Sequence, residues 1–257
     1  MQRLKINDLH LWQFENLRKE ASVMHFVTDR QTVEGEREFT LSFSSSPDRE
    51  EIRQNRRRLA QAMGVDEARL FFPSQVHETK IVRVTRDTST ADVIGTDALI
   101  TNEKMVCIAV MSADCVPVLL WDMKNQAVAA VHSGWRGTAA RILEKTLQRM
   151  NIEFGTTGKD LVAGIGPSVS QASYEVGGEV VQAMDAAFGA ESEVMIHKEN
   201  RKADLDLWKA NHIQLREFGV PESSVEYADL CTVKTNNYFF SARKGDTGRF
   251  AAGIMLI

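Results

Sequence analysis

The sequence predicts a mixed α/β unit, and three observations carry that prediction. Six short apolar runs (Leu70–Phe72, Ile81–Val84, Met105–Met111, Val116–Trp121, Ala127–Val131 and Leu161–Ile165) are mostly continuous rather than alternating, as expected of strands covered on both faces. Segments with apolar residues at helical spacing lie among and after them. No Pro/Gly/Ser-rich linker and no internal repeat divides the 257 residues, which suffice for a large core in one domain or two smaller ones.

The helices follow in order. Asp48–Met63 opens on Asp48 as a cap and carries Glu50 and Glu51 in its first turn. Ile52, Leu59, Ala60 and Met63 share one face, and Gly64 ends it. Ser44–Ser46 with Pro47 forms a short loop before it. The run Arg56-Arg57-Arg58 reads as the solvated face; nucleic acid is the poorer reading, because no aromatic residues interleave it. A second helix, Thr138–Met150, has Ile142, Leu143, Thr146, Leu147 and Met150 at helical spacing. Further helices are expected around Glu179–Phe188 and at about Leu205–Phe218, the latter ending before Gly219 and Pro221. The C-terminus reads as a hairpin, Tyr238–Arg243 and Arg249–Ile257 flanking the turn residues Lys244–Gly248.

The composition is ordinary, 43% hydrophobic and 26% charged, and the net charge of −4 gives no overall attraction to nucleic acid or to an anionic membrane. Any anion site must be local. No apolar stretch is long enough to span a bilayer, and Met1–Glu20, broken by Lys5, Asp8 and Glu15, has no signal-peptide core. Three cysteines (Cys107, Cys115, Cys231) are too few and odd in number for a disulfide framework, and a reducing cytoplasm fits best.

The chemistry concentrates where apolar runs meet turns. Val128–Gly137 delivers His132 and then Arg136, bracketed by Gly134 and Gly137, into a tight turn before a helix; exposed N–H groups and a positive dipole end there suit an anion. Arg136 is therefore the candidate for phosphate or carboxylate. Trp135 either stacks a ring or joins the core. His77 and Cys115 also stand at the edges of apolar runs. With His132 they make three protein ligands with a fourth position open, the pattern of catalytic zinc, and Asp114 beside Cys115 is a candidate partner behind the ligands. Their separations of 38 and 17 residues are not diagnostic. Two satisfied core histidines and a buried apolar cysteine are the alternative. A Cys115/His132 nucleophilic pair, with Arg136 or the helix N-terminus stabilising the thiolate, is another, and it leaves His77 unexplained. Gly164-Ile165-Gly166-Pro167 is a strand end and rigid turn. Arg243 either faces a pocket or is an exposed loop arginine. His10, His197 and His212 lack supporting context, His212 reading as structural, and His25 is ambiguous.

Together, Ser74-Gln-Val-His77, Thr96-Asp-Ala-Leu-Ile-Thr101, Ser112-Ala-Asp-Cys-Val-Pro117, Val131-His-Ser-Gly-Trp-Arg-Gly137, Ile165-Gly-Pro167, Tyr174-Glu-Val-Gly177 and Phe240-Ser-Ala-Arg243 resemble, in order, the bacterial YfiH/laccase-domain group. Its members are described as purine nucleoside phosphorylases with adenosine deaminase activity, were earlier labelled polyphenol or multicopper oxidases, and include peptidoglycan editing factors. The resemblance covers nearly the whole chain. It implies an α+β fold, a mixed β-sandwich core surrounded by helices, as a single domain over residues 1–257. It implies that His77, Cys115 and His132 bind a catalytic zinc, copper being the second candidate metal. It also implies phosphorolysis of adenosine, inosine and methylthioadenosine, with hydrolytic deamination of adenosine. Three positions depart from the family pattern: Thr40 where an asparagine is usual, Ser44 where a histidine is common, and Ala172-Ser173 in place of a cysteine-rich stretch.

The mechanism expected on this basis has Cys115, His132, Asp114 and Arg136 as the catalytic residues, with phosphate on Arg136 and its backbone N–H neighbours. Gln75, Arg136 and Arg243 bind substrate, and Asp114 and Gln75 orient ligands or substrate. The partners are a small-molecule nucleoside and phosphate, not nucleic acid or membrane. The usual deaminase signature is missing, since His77-Glu78 has no downstream Cys-x-x-Cys. Three other classes remain open. One is a cysteine hydrolase or amidase on Cys115 and His132, which would suit cell-wall precursor editing. Another is a copper-dependent phenol oxidase, disfavoured because six histidines, several without context, cannot build a multicopper cluster. The third is a non-catalytic metal-binding accessory protein.

Overall fold

The structure, a computed structural model, describes residues 1–32, 38–43 and 48–257. The loop expected over Ser44–Ser46 and Pro47, and the departure at Ser44, lie outside the described residues. From the N-terminus, β1 (Gln2–Ile6), β2 (Leu9–Gln13), the one-turn helix α1 (Glu15–Arg18) and β3 (Val23–Thr32) precede α2 (Arg49–Met63). Next come β4 (Leu70–Phe71), β5 (Ile81–Arg83), β6 (Ala98–Thr101), β7 (Cys107–Ser112), β8 (Val116–Asp122) and β9 (Ala127–Ser133). Helices α3 (Trp135–Ala139) and α4 (Ile142–Phe154) lead to β10 (Leu161–Ile165), β11 (Glu175–Val176) and α5 (Gly178–Phe188). The chain closes with β12 (Met195–His197), β13 (Ala203–Leu205), α6 (Leu207–Glu217), β14 (Val225–Tyr227) and β15 (Phe250–Leu256).

Among the described residues, two six-stranded sheets run β1-β2-β3-β15-β7-β4 and β14-β10-β8-β9-β6-β5, with a small sheet β11-β13-β12 beside them. The fold is α+β, a mixed β-sandwich flanked by helices. Alternation along each strand shows why the central runs are apolar throughout. On β8, Leu119 and Trp121 enter the core between the two large sheets, while Val116, Val118 and Leu120 face the opposite way, toward α4, α5 and α6. On β7, Ile108 and Val110 join the inter-sheet core, and Cys107 and Ala109 pack with Leu59, Ala60 and Met63 of α2. The order of layers is therefore α2, sheet, sheet, helices.

Helix α2 forms as its sequence dictates. The Asp48 carboxylate accepts from the N–H groups of Glu50 and Glu51 at 3.0 and 3.1 Å, and Gly64 closes the helix with φ +64°. Three expectations need correction. The helix foreseen over Thr138–Met150 is two pieces, because Arg141 turns left-handed (φ 59°) between α3 and α4. The C-terminal hairpin does not form. Residues 231–249 run in turns, anchored where the Asp246 carboxylate accepts from Ser241 N–H and the Asn236 amide, and β15 pairs instead with β3 and β7. Strands β1, β2, β3, β6 and β11 to β14 are not among the runs expected from the sequence. No helix among the described residues is long and apolar enough to cross a membrane.

Candidate metal centre and cleft

The antiparallel register of β8 on β9 pairs Val116 with Ser133 and Pro117 with His132, so Cys115 and His132 emerge at the same end of the sheet. Strand β6 pairs Ala98 with Val131, which puts Asp97 at that end too. The chain passes from β7 of one sheet to β8 of the other through Ala113-Asp114-Cys115, a turn so tight that Asp114 adopts φ 91°. His77 arrives on a loop with φ 64°, and Asp97 holds that loop. The Asp97 carboxylate accepts from the backbone N–H groups of Val76, His77 and Glu78 at 3.0–3.1 Å and lies 2.8 Å from His132 Nδ1.

The ligand atoms of His77, Cys115 and His132 all lie within 4.8 Å of one another, and the two imidazoles meet edge to face at 4.9 Å. Gly134 makes room for them. A Cβ there would stand 2.8 Å from Cys115 Sγ and 3.1 Å from His77 Cδ2. Burial of Asp97 works against its ionisation, but the hydrogen bonds from His132 and the loop N–H groups outweigh it and hold the carboxyl below its usual range. Burial likewise disfavours the charged forms of Cys115 and His132. Their mutual attraction, with Asp97 behind His132 and His77 beside Cys115, draws the thiol down and the imidazole up. With Nδ1 fixed on Asp97, His132 offers Nε2 toward Cys115. Two imidazoles and an easily ionised thiol on an open cleft wall fit a divalent metal such as zinc.

These groups form one side of a cleft of about 760 Å³. The structure places the other expected residues with mixed results. Gln75 lines the cleft, but its amide is committed at both ends to Met111, Nε2 donating to the carbonyl at 2.8 Å and Oε1 accepting from N–H at 2.7 Å. Asp114 also lines it, yet one oxygen accepts from Thr232 Oγ1 (2.6 Å) and the other from Arg243 N–H (2.8 Å). Both residues therefore hold the cleft wall together rather than presenting free groups to a ligand. Arg243 does line the cleft, its guanidinium over the Tyr174 ring. Arg136 is not among the lining residues. It lies on Trp135, 3.6 Å from Glu179, with its side chain 58% exposed, and α3 is only five residues long. Trp135 packs against the core formed by the helices.

The sequence reading missed Asp97, Tyr174 and Arg56. A carboxylate opening the apolar stretch Ala98–Thr101 was the available signal for Asp97. Arg56 was assigned to the solvated face of α2. That holds for Arg57, which reaches Glu50, but Arg56 lines the cleft. Thr40 lies behind the wall, its hydroxyl accepting from Arg249 N–H at 3.0 Å. Ala172 and Ser173 belong to a short 3-10 turn before Tyr174. Cys107 is buried with no polar partner among the described residues, and Cys231 accepts from Ser170 N–H.

A family model described as multi-copper polyphenol oxidoreductase laccase matches residues 24–257. The chain belongs to that family. It is 41% identical to a purine nucleoside phosphorylase of Bacteroides thetaiotaomicron over 97% of both chains. It is 35% identical to adenosine deaminase RL5 of an unknown prokaryotic organism, over 76% of this chain and 78% of the relative. The solved structure of YlmD from Geobacillus stearothermophilus superposes with a TM-score of 0.89 at 27% identity, covering 98% of this chain and 97% of that one. Despite the family's multi-copper description, the described residues bring together one three-ligand group, His77, Cys115 and His132, which suits a single ion.

Proposed function

We propose that this family member is a zinc-dependent purine nucleoside phosphorylase acting on adenosine, inosine and methylthioadenosine, with adenosine deaminase activity. The observation that carries this reading is a three-ligand His-Cys-His group opening onto a cleft of about 760 Å³, a volume suited to a small-molecule ligand. The names of the relatives supply the chemistry. His77, Cys115 and His132 would hold the zinc, which when bound supplies Lewis-acid polarisation at that wall of the cleft. Asp97 fixes His132 in one tautomer and holds the backbone beneath His77, so both imidazoles are oriented before any ligand arrives. Tyr174 lines the same cleft, and burial pushes its phenol up to about 12, so at neutral pH it is an O–H donor for a purine nitrogen. In phosphorolysis a phosphate oxygen bonds to C1′ as the glycosidic bond breaks, and the base leaves with the bonding pair and takes up a proton. Incubation of adenosine or inosine with phosphate, read as free base and ribose 1-phosphate, tests the reading alongside elemental analysis of protein purified without added metal.

One observation favours a second reading. Asp97, His132 and Cys115 form a carboxylate–imidazole–thiol series, the constellation of a cysteine hydrolase. A metal-free protein retaining full activity would establish it over the zinc reading.

A further inference from the structure

We infer that Arg56 is the residue of the cleft that receives a phosphoryl group, an assignment that rests on the phosphorylase reading above. Among the described residues three arginines line the cleft, Arg56, Arg243 and Arg249, and none of them is ion-paired there with a carboxylate. Asp114 is the one acid in the lining among the described residues, and both of its oxygens are occupied. In a protein of net charge −4 the described residues thus gather positive charge locally, facing a small-molecule cavity.

Arg56 is the most firmly placed of the three. Asn55 Nδ2 donates to Thr40 O at 3.0 Å, and Arg56 Nε and Nη2 both donate to Leu41 O at 3.0 and 2.9 Å, so adjacent residues of α2 clasp adjacent carbonyls. The guanidinium carbon lies 4.4 Å from the Phe43 ring centroid and 4.6 Å from that of Phe72. The two rings and the Leu41 carbonyl fix the plane, leaving Nη1 uncommitted among the described residues. Burial weakens the hold of Arg56 on its proton, and Glu67 opposes this only from a distance. A planar, cationic donor held rigid and partly dehydrated binds a phosphoryl oxygen with little ordering cost. By contrast Arg136, at the protein surface, already has Glu179 beside it.

The phosphoryl group has two sources, free inorganic phosphate or a phosphate carried on a nucleoside. Calorimetric titration of the metal-loaded protein with inorganic phosphate and, separately, with adenosine 5′-monophosphate distinguishes them. Arg56→Gln is expected to weaken the ligand that uses the site by about 10- to 100-fold, with zinc content unchanged. Arg56→Lys keeps the charge without the planar fork and should lose several-fold; it also serves as the test if Gln disturbs the Leu41 contact. Loss confined to inorganic phosphate supports the site as that of the co-substrate. Loss confined to the nucleotide supports it as the site of a substrate phosphate. A parent that binds neither ligand, or a folded variant that binds both as tightly as the parent, overturns the assignment. Arg56-dependent phosphate binding in a protein that cleaves no nucleoside would instead overturn the phosphorylase reading and leave Arg56 in place.

Discussion

Asp97 Oδ1 lies 2.8 Å from Nδ1 of His132 and accepts the backbone N–H of His77 at 3.0 Å, so one buried carboxylate oxygen governs two of the three candidate ligands. One imidazole is oriented through its side chain and the other through its main chain. Asp97→Asn keeps the size of the group but loses the charge-assisted bonds. Its zinc affinity should fall about 10- to 100-fold, measured by competition with a chelator. Unchanged affinity would show that the ligands are held by the strand ends alone.

The three cysteines should separate cleanly. Cys115→Ser should lose the metal and the activity, whereas Cys107→Ser and Cys231→Ser should keep both. Cys107→Ser should be less stable by about 1–3 kcal/mol, because it buries a hydroxyl in the apolar layer between β7 and α2. Cys231→Ser should cost less, since Ser170 N–H is already there to donate to the hydroxyl. Equal metal loss in all three variants, by elemental analysis, would mean that packing rather than coordination links the cysteines to the site.

Gly134 has extended backbone angles that any residue adopts (φ −73°, ψ 171°), so its substitution tests space alone. Gly134→Ala puts a methyl 2.8 Å from Cys115 Sγ, which must move away from its partners. We expect chelator competition to show at least tenfold weaker zinc binding, with a smaller effect on the melting temperature of the chelator-treated protein. Binding equal to the parent would show that the thiol has slack.

His25 provides a pH prediction away from the cleft. Burial pulls its pKa down to about 4 against the opposing influence of Glu226, while Arg18 adds to the depression, and the ring Nε2 accepts the Phe14 N–H at 2.8 Å. The unfolded chain takes up a proton near pH 6.5 and the folded one does not, so stability present above that pH falls as pH drops toward 4. Between pH 7 and pH 5 the loss from this group is about 2 kcal/mol. In urea titrations His25→Gln, which keeps an acceptor for Phe14 N–H, should flatten the dependence by about that amount. Parallel curves for parent and variant would remove His25 as its cause.

The grouping of His77, Cys115 and His132 was legible in the sequence because each stands at the edge of an apolar run. Six of the strands were visible for the same reason. Strands β1 and β2 were not, because most of their residues are only partly buried and they lie toward one edge of their sheet, where no continuous apolar run is required. The break at Arg141 was hidden because a left-handed arginine leaves no composition signal. Long-range partners were also out of reach. Nothing local marks Asp114 as the acceptor for Arg243 N–H, 129 positions away, and nothing in Arg56-Arg57-Arg58 says which of the three turns inward.

The two sides of the cleft are built from different kinds of chain. Cys115 and His132 stand at the ends of strands buried on both faces, where a change of one residue disturbs two cores. Arg243 and Arg249 ride on turns, and Phe43 on a short irregular stretch, tied back through contacts such as Asp114 to Arg243 and Thr40 to Arg249. Substitutions that retune which ligand is admitted can therefore accumulate in the turns at small cost to folding. Substitutions that alter the donor set meet the full resistance of the sandwich. Such a molecule can diversify in diet while its reactive corner stays put.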